Sequence, residues 1–157
     1  MDLFYTVRQH VLKELDGMVA AGELPSGLDM TSVAVEPPRD PLHGDMATNA
    51  AMVLSKSARK KPREIAENLA NRLSNVDIIE NSQVAGPGFL NLRISIKAWQ
   101  SNLNKILELG SAYGRTGLGK NLRVNVEFVS ANPTGPLHVG HTRGAVFGDA
   151  LSELLSF

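Results

Sequence analysis

"AGPGFLNLRISI", Ala85 to Ile96, decides how the first half of this chain is read. Leu90, Leu92, Ile94 and Ile96 alternate with Phe89, Asn91, Arg93 and Ser95. That period of two belongs to a strand with one apolar face and one polar face, the polar face opening on a single ring, Phe89. The glycines and proline of "AGPGF" separate it from an earlier strand in the stretch that begins at Val76. Upstream, Phe4, Val7, Val11, Leu15 and Met18 recur at helical spacing before the turn-forming "AAGELPSG". Val33 and Val35 predict a short strand that the double proline Pro37–Pro38 ends. Ala47, Ala50, Ala51 and Leu54 predict a second helix beginning near Asp45, a residue type that caps helix starts. Pro62 suits the first turn of a third helix, with Ile65, Leu69 and Leu73 on one face. A further helix after the strand carries Trp99, Leu103 and Ile106 on one side and ends at Gly110.

"GSAYGRTGLGK", Gly110 to Lys120, holds four glycines in eleven residues and reads as a linker. Beyond it, Leu122, Val124, Val126 and Phe128 predict another strand, and the sequence from His138 onward is helical in pattern, with Val139, Ala145, Val146, Ala150, Leu151 and Leu154. A lone strand–loop–helix cannot bury its own apolar faces. The expected organisation is a complete α+β domain over 1–110, with helices packed on a small, mainly antiparallel sheet. A glycine-rich linker over 111–120 follows, and 121–157 opens a larger α/β domain.

The 157 residues include sixteen basic and sixteen acidic ones and no cysteine. Disulfides and thiolate metal sites are excluded. Balanced charge gives no general support to a dedicated nucleic-acid binder. No apolar run approaches the ~20 residues of a membrane span, and the N-terminus lacks a signal-peptide layout, so a cytoplasmic protein without membrane contact is expected. Charge is uneven, however. "KSARKKPR", Lys56 to Arg63, has five basic residues and no acid. It is read either as a solvated helix end or as a phosphate-contacting patch.

The chemistry concentrates in "SANPTGPLHVGH", Ser130 to His141. Two histidines three apart at a helix start share a face. They allow three readings: a capped helix start, a metal site whose nearest extra ligand is Asp149, and a nucleotide phosphate site. The last uses the free N–H groups and positive dipole end of a helix N-terminus. Gly140, without a Cβ, would let a base or ribose pack on backbone, and the imidazoles could donate to phosphate oxygens. The loop has neither the lysine of a Walker A motif nor a GxGxxG pattern.

"HVGH" resembles the HIGH signature of class I aminoacyl-tRNA synthetases, a tetrapeptide pattern shared with nucleotidyltransferases. The surrounding "VEFVSANPTGPLHVGHTRGA", Val126 to Ala145, is more specific and resembles arginyl-tRNA synthetase. "HGDMATNAAMVLSK", "KPREIAENLANRL" and "VAGPGFLNLRIS" are similar to that family's N-terminal additional domain, in the same order. The resemblance covers essentially the whole chain and implies a fragment that stops inside the first helix of a Rossmann-type catalytic domain.

For the full-length protein the resemblance implies an arginine–tRNA ligase. It would activate arginine with ATP, with Mg²⁺ expected and no bound protein metal, and transfer it to the 3′ end of its tRNA. His138 and His141 would be catalytic. Pro136, His138, Gly140 and His141 would bind ATP, and Glu127, Ser130, Asn132 and His141 would line the arginine pocket. The Glu127 carboxylate suits a bidentate guanidinium. The additional domain would contact the tRNA D-loop through Phe89 and Asn91, with Lys60 and Lys61 on phosphates. Phe89 has a competing reading as a ring covered by its own domain. The partners implied are tRNA, ATP and arginine, for a monomeric full-length protein. The 157 residues alone would be inactive in aminoacylation, at most weak in tRNA contact, and prone to self-associate. Two alternatives accompany this reading: a free-standing tRNA-binding module and an HxGH nucleotidyltransferase. A lysine-rich KMSKS-like loop downstream would favour the synthetase.

Overall fold

The computed structural model describes residues 2–38, 40–117, 119 and 121–157. It divides into two compact units, Met1–Tyr113 and Gly114–Phe157. The linker reading over 111–120 includes Leu118 and Lys120, which lie outside the described residues.

In the first unit, helix α1 (Leu3–Ala20) is started by Asp2, whose side chain accepts the Tyr5 N–H. Its stripe Val7, Val11, Leu15 and Met18 is fully buried. Strand β1 (Val35–Glu36) stops at the double proline as expected. β2 (Met46–Thr48), α2 (Ala50–Ala58) and α3 (Pro62–Leu73) follow, then the hairpin β3 (Ile79–Ala85) and β4 (Phe89–Ile94). The strands form one antiparallel sheet in the order β1-β2-β4-β3. Helices α1–α3 pack together against one sheet face, where Leu90, Leu92 and Ile94 meet Leu54, Ile65 and Leu69 in a single apolar cluster. The architecture is therefore helices plus a small four-stranded antiparallel sheet.

Two expectations about elements are corrected. The second helix begins at Ala50 rather than near Asp45, because Met46–Thr48 form a strand against β4. Asp45 caps no helix. Its backbone N–H donates to the Leu92 carbonyl (2.9 Å), and its carboxylate accepts the Ile94 N–H (2.8 Å). Gly44, at φ 128°, permits this approach, since a Cβ there would lie 2.8 Å from the Leu92 oxygen. The apolar alternation of β4 also ends earlier than its sequence pattern. Ile96 opens helix α4 (Ile96–Leu109), capped by the Ser95 side chain, and is 71% exposed.

Helix α4 leaves Trp99 and Leu103 exposed, with Ala98 its one buried residue, so its apolar side has no cover among the described residues. The "TN" of Thr48–Asn49 is spent on tethering. Thr48 Oγ1 donates to the Ala34 carbonyl, while Asn49 accepts from Ala34 N–H and donates to the Ser32 carbonyl.

Among its described residues the second unit holds one helix, α5 (Val139–Ser156). The strand expected over Leu122–Phe128 forms no ladder, because no neighbouring strand stands beside it among the described residues. Phe128 packs on Gly148, where any Cβ would collide with its ring.

Candidate nucleic-acid interface and nucleotide site

The outer face of the sheet carries a groove of about 490 Å³. Phe89, 44% exposed at the start of β4, forms one wall, so it is not a ring covered by its own domain. Asn91 shares the groove but is only 8% exposed, more enclosed than a strand's outer face predicts. Pro37, Pro38, Asp40 and His43 line the same groove. Register places Glu36 beside Ala47, Ala47 beside Asn91 and Asn91 beside Gln83, a row across all four strands. The Asn91 amide makes no hydrogen bond within the described residues, and no side-chain polar atom there is both fully buried and unpartnered.

The basic run divides in two. Lys60 bonds Glu64 at 2.7 Å and acts electrostatically on Glu23; Arg63 bonds Glu67 at 3.0 Å. Exposed pairs of this kind contribute little to stability, but each neutralises a charge locally. Lys61 is exposed at the start of α3, its side chain capping nothing. The β3–β4 turn lies against this helix start. Gly88, at φ 152°, sits where a Cβ would come within 2.6 Å of Pro62 Cβ. Phe89 and Lys61 are thus neighbours of one packed turn.

In the second unit, Ser130 Oγ donates to the Glu127 carboxylate, and both residues line a cleft of about 360 Å³ with Phe147 and Leu151. Val129 between them adopts φ 63°, an unusual conformation for a β-branched residue. Pro136, His138, Gly140, His141 and Asn132 are not in that cleft. The histidines start α5 by capping each other's backbone. His138 Nδ1 accepts the Gly140 N–H and His141 Nδ1 accepts the His138 N–H, both at 3.2 Å. The rings stack at 3.8 Å. An Nδ1 that accepts carries no proton, which leaves Nε2 as the donor nitrogen of each neutral ring. The space beside Gly140 is taken by the His138 ring, 3.0 Å from where a Cβ would sit. Asp149 joins no group of three or more metal-binding side chains among the described residues.

Sequence reasoning brought together Phe89 with Asn91, and His138 with His141. It did not find Glu36 or His43 at the groove, which no periodicity marks because both lie in the short edge segment. Among the described residues no helix is long and apolar enough to cross a membrane.

Residues 6–94 match the family described as the arginyl-tRNA synthetase N-terminal domain. Curated relatives named arginine–tRNA ligase align over the entire chain, including those of Cereibacter sphaeroides strain ATCC 17025 (62% identical) and Ruegeria sp. strain TM1040 (61%). The chain spans 27% of the length of each. Two solved structures share the fold. Arginyl-tRNA synthetase of Plasmodium falciparum superposes with TM-score 0.72 at 18% identity, over 100% of this chain and 29% of that one. The Thermus thermophilus enzyme gives TM-score 0.55 at 26% identity, over 98% and 23% respectively. More than half of this sequence falls within the matched region, and the chain belongs to the arginyl-tRNA synthetase N-terminal domain family.

Proposed function

We propose that these residues form the N-terminal part of an arginine–tRNA ligase, with 1–110 an additional tRNA-contacting domain, 111–120 a linker and 121–157 the start of a Rossmann-type catalytic domain. The observation that carries the reading is the outer-face groove, where an exposed Phe89 stands beside an Asn91 amide with no partner among the described residues. A ring and a free amide on one strand face suit an unpaired base, which stacks on the first and hydrogen-bonds the second. Lys61, adjacent through the Gly88–Pro62 contact, would reach a phosphate. Lys60 serves as a phosphate contact only after leaving Glu64.

In the catalytic part, His138 and His141 would hold ATP phosphates through their Nε2 protons, with Pro136 and Gly140 beside them. Mutual capping supports this role by orienting both rings before ligand arrives. Glu127, fixed by Ser130, would accept the arginine guanidinium, with Asn132 and His141 completing the pocket. Mg²⁺ would accompany ATP. This cleft, between the Val126–Ser130 segment and α5, would be one part of a site whose other walls the relatives' remaining length would supply.

Steady-state kinetics on the full-length ligase test the reading. Phe89→Ala is expected to raise the KM for tRNA about tenfold, ~1.4 kcal/mol, with the KM for ATP unchanged. His138→Ala or His141→Ala is expected to lower kcat ~10²–10³-fold with a smaller effect on the KM for arginine. An unchanged tRNA KM in the first case removes the base-stacking assignment, and near-normal kcat in the second reduces the histidines to helix caps.

A further inference from the structure

The polar groups lining the outer-face groove fall into two sets. Thr48, Asn49 and Asp40 are committed to the fold: the first two tether residues 32–34, and Asp40 accepts the Leu42 N–H. The side chains of Glu36, His43 and Asn91 line the groove and bond to nothing within the described residues. Asn91 is more than nine-tenths enclosed as a residue, yet its amide atoms still reach solvent and bond to nothing among the described residues, so they are open to a ligand in the groove.

Glu36 and Asn91 flank Ala47 in one cross-strand row. Two strand spacings put their backbones about 10 Å apart, with only a methyl group rising between them. Glu36, Ala47, Asn91 and Phe89 all line this one groove, whose volume of about 490 Å³ exceeds that of a single planar base. Glu36 and Asp40 both contribute carboxylates to its lining. A phosphate placed there would meet like charge.

We propose that Glu36 is a specificity-determining residue of this groove, its carboxylate accepting an N–H from the edge of an unpaired, uncharged nucleobase. The base stacks on Phe89, the Asn91 amide takes a donor–acceptor pair on another edge, and the sugar-phosphate backbone stays outside. This rests on the tRNA reading of Phe89 and Asn91 and adds what that reading lacks, an acceptor-only group that demands a donor from the base. Ionised acceptors make the stronger hydrogen bonds, so this contact contributes more than its exposed position suggests.

The test is binding of an arginine tRNA transcript to the 157-residue chain across a salt series, for the wild type, Glu36→Ala and Phe89→Ala. Glu36 is exposed on a two-residue edge strand, and an unchanged thermal midpoint will verify that its replacement leaves the fold intact. Glu36→Ala is expected to weaken binding about three- to tenfold at every salt concentration, with the salt slope unaltered. Tighter binding with an altered slope would overturn the proposal, because it would put a phosphate against the carboxylate. If Phe89→Ala weakens binding and Glu36→Ala does not, the tRNA reading stands and this inference fails. If neither variant changes binding, the tRNA reading fails and takes the inference with it. A second series uses RNA loops whose unpaired base is methylated on its donor nitrogen. The wild type is expected to lose affinity on methylation and Glu36→Ala to be indifferent; equal losses in both would assign the donor to another partner.

Discussion

Gly88 shows how one missing Cβ can hold a binding surface in place. Its backbone sits at φ 152°, and Pro62 fills the space a side chain would need, with the proline carbonyl carbon 2.9 Å from a would-be Cβ. Neither Pro62, fixed at the first turn of α3, nor the turn itself can move aside cheaply. Gly88→Ala is therefore expected to lower unfolding stability by about 1–3 kcal/mol, from strained backbone and overpacking together. Urea denaturation will read this as a lower midpoint with an unchanged slope. Gly86, in the same turn with open space around it, is the control for the steric part: Gly86→Ala, also at positive φ, is expected to cost less. Equal losses would mean that backbone conformation alone matters.

At the scale of elements, sequence was most informative where a segment's partners are local. The stripe of α1 and the face of α3 are buried as their spacing predicts, since helical periodicity is a property of the segment itself. The β3–β4 pair was legible for the same reason. Asp45 was misread because its partner is the Ile94 N–H, 49 residues away, and nothing local distinguishes a carboxylate that serves a strand from one that caps a helix. Asn91 was placed on the correct face, yet the residues Pro37, Pro38, Asp40 and His43 that line its groove are distant in sequence, which alternation within β4 cannot report. The histidine pair was legible as a helix start; that each ring caps the other's backbone required coordinates.

A link between elements also predicts a pH response. Arg72 of α3 reaches Glu23 beyond α1 at 2.6 Å, and the guanidinium's hydrogen bond holds the Glu23 carboxyl below its ordinary range. Arg72 is pushed up by the same bond and stays charged throughout. A carboxyl with a lowered folded-state pKa stabilises the fold above its unfolded pKa, and that contribution disappears as pH falls through the folded value. Wild type and Glu23→Gln are thus expected to differ in thermal midpoint at neutral pH and to converge as pH drops below about 4. A constant gap down to strong acid would show that the ion pair is not the cause.

For the molecule as a whole, apolar surface is distributed unequally. The first unit closes a full core under one face of its sheet, whereas the second exposes Leu122, Val124, Val146, Phe147 and Leu154. Exposed apolar surface of this extent, added to the uncovered side of α4, favours association. The isolated 157-residue chain is expected to form oligomers at micromolar concentration by light scattering, and Val146→Lys with Phe147→Glu is expected to reduce them. A strictly monomeric chain would show these faces to be tolerated in water. The same inequality limits what sequence could reveal of the second unit: the Leu122–Phe128 pattern is that of a strand, but a strand exists only beside another.

The contact between Gly88 and Pro62 has a further consequence for recognition. Backbone meets ring there without any rotatable side chain between them, so the backbones of Phe89 and Lys61 are held at the fixed span of a caliper, with the reach of the lysine side chain added at one end. An RNA that seats a base at one jaw must bring a phosphate to the other at that span or forgo the contact. Discrimination would then extend to the curvature of the chain between base and phosphate, a property of folded RNA that a linear strand of the same bases does not possess.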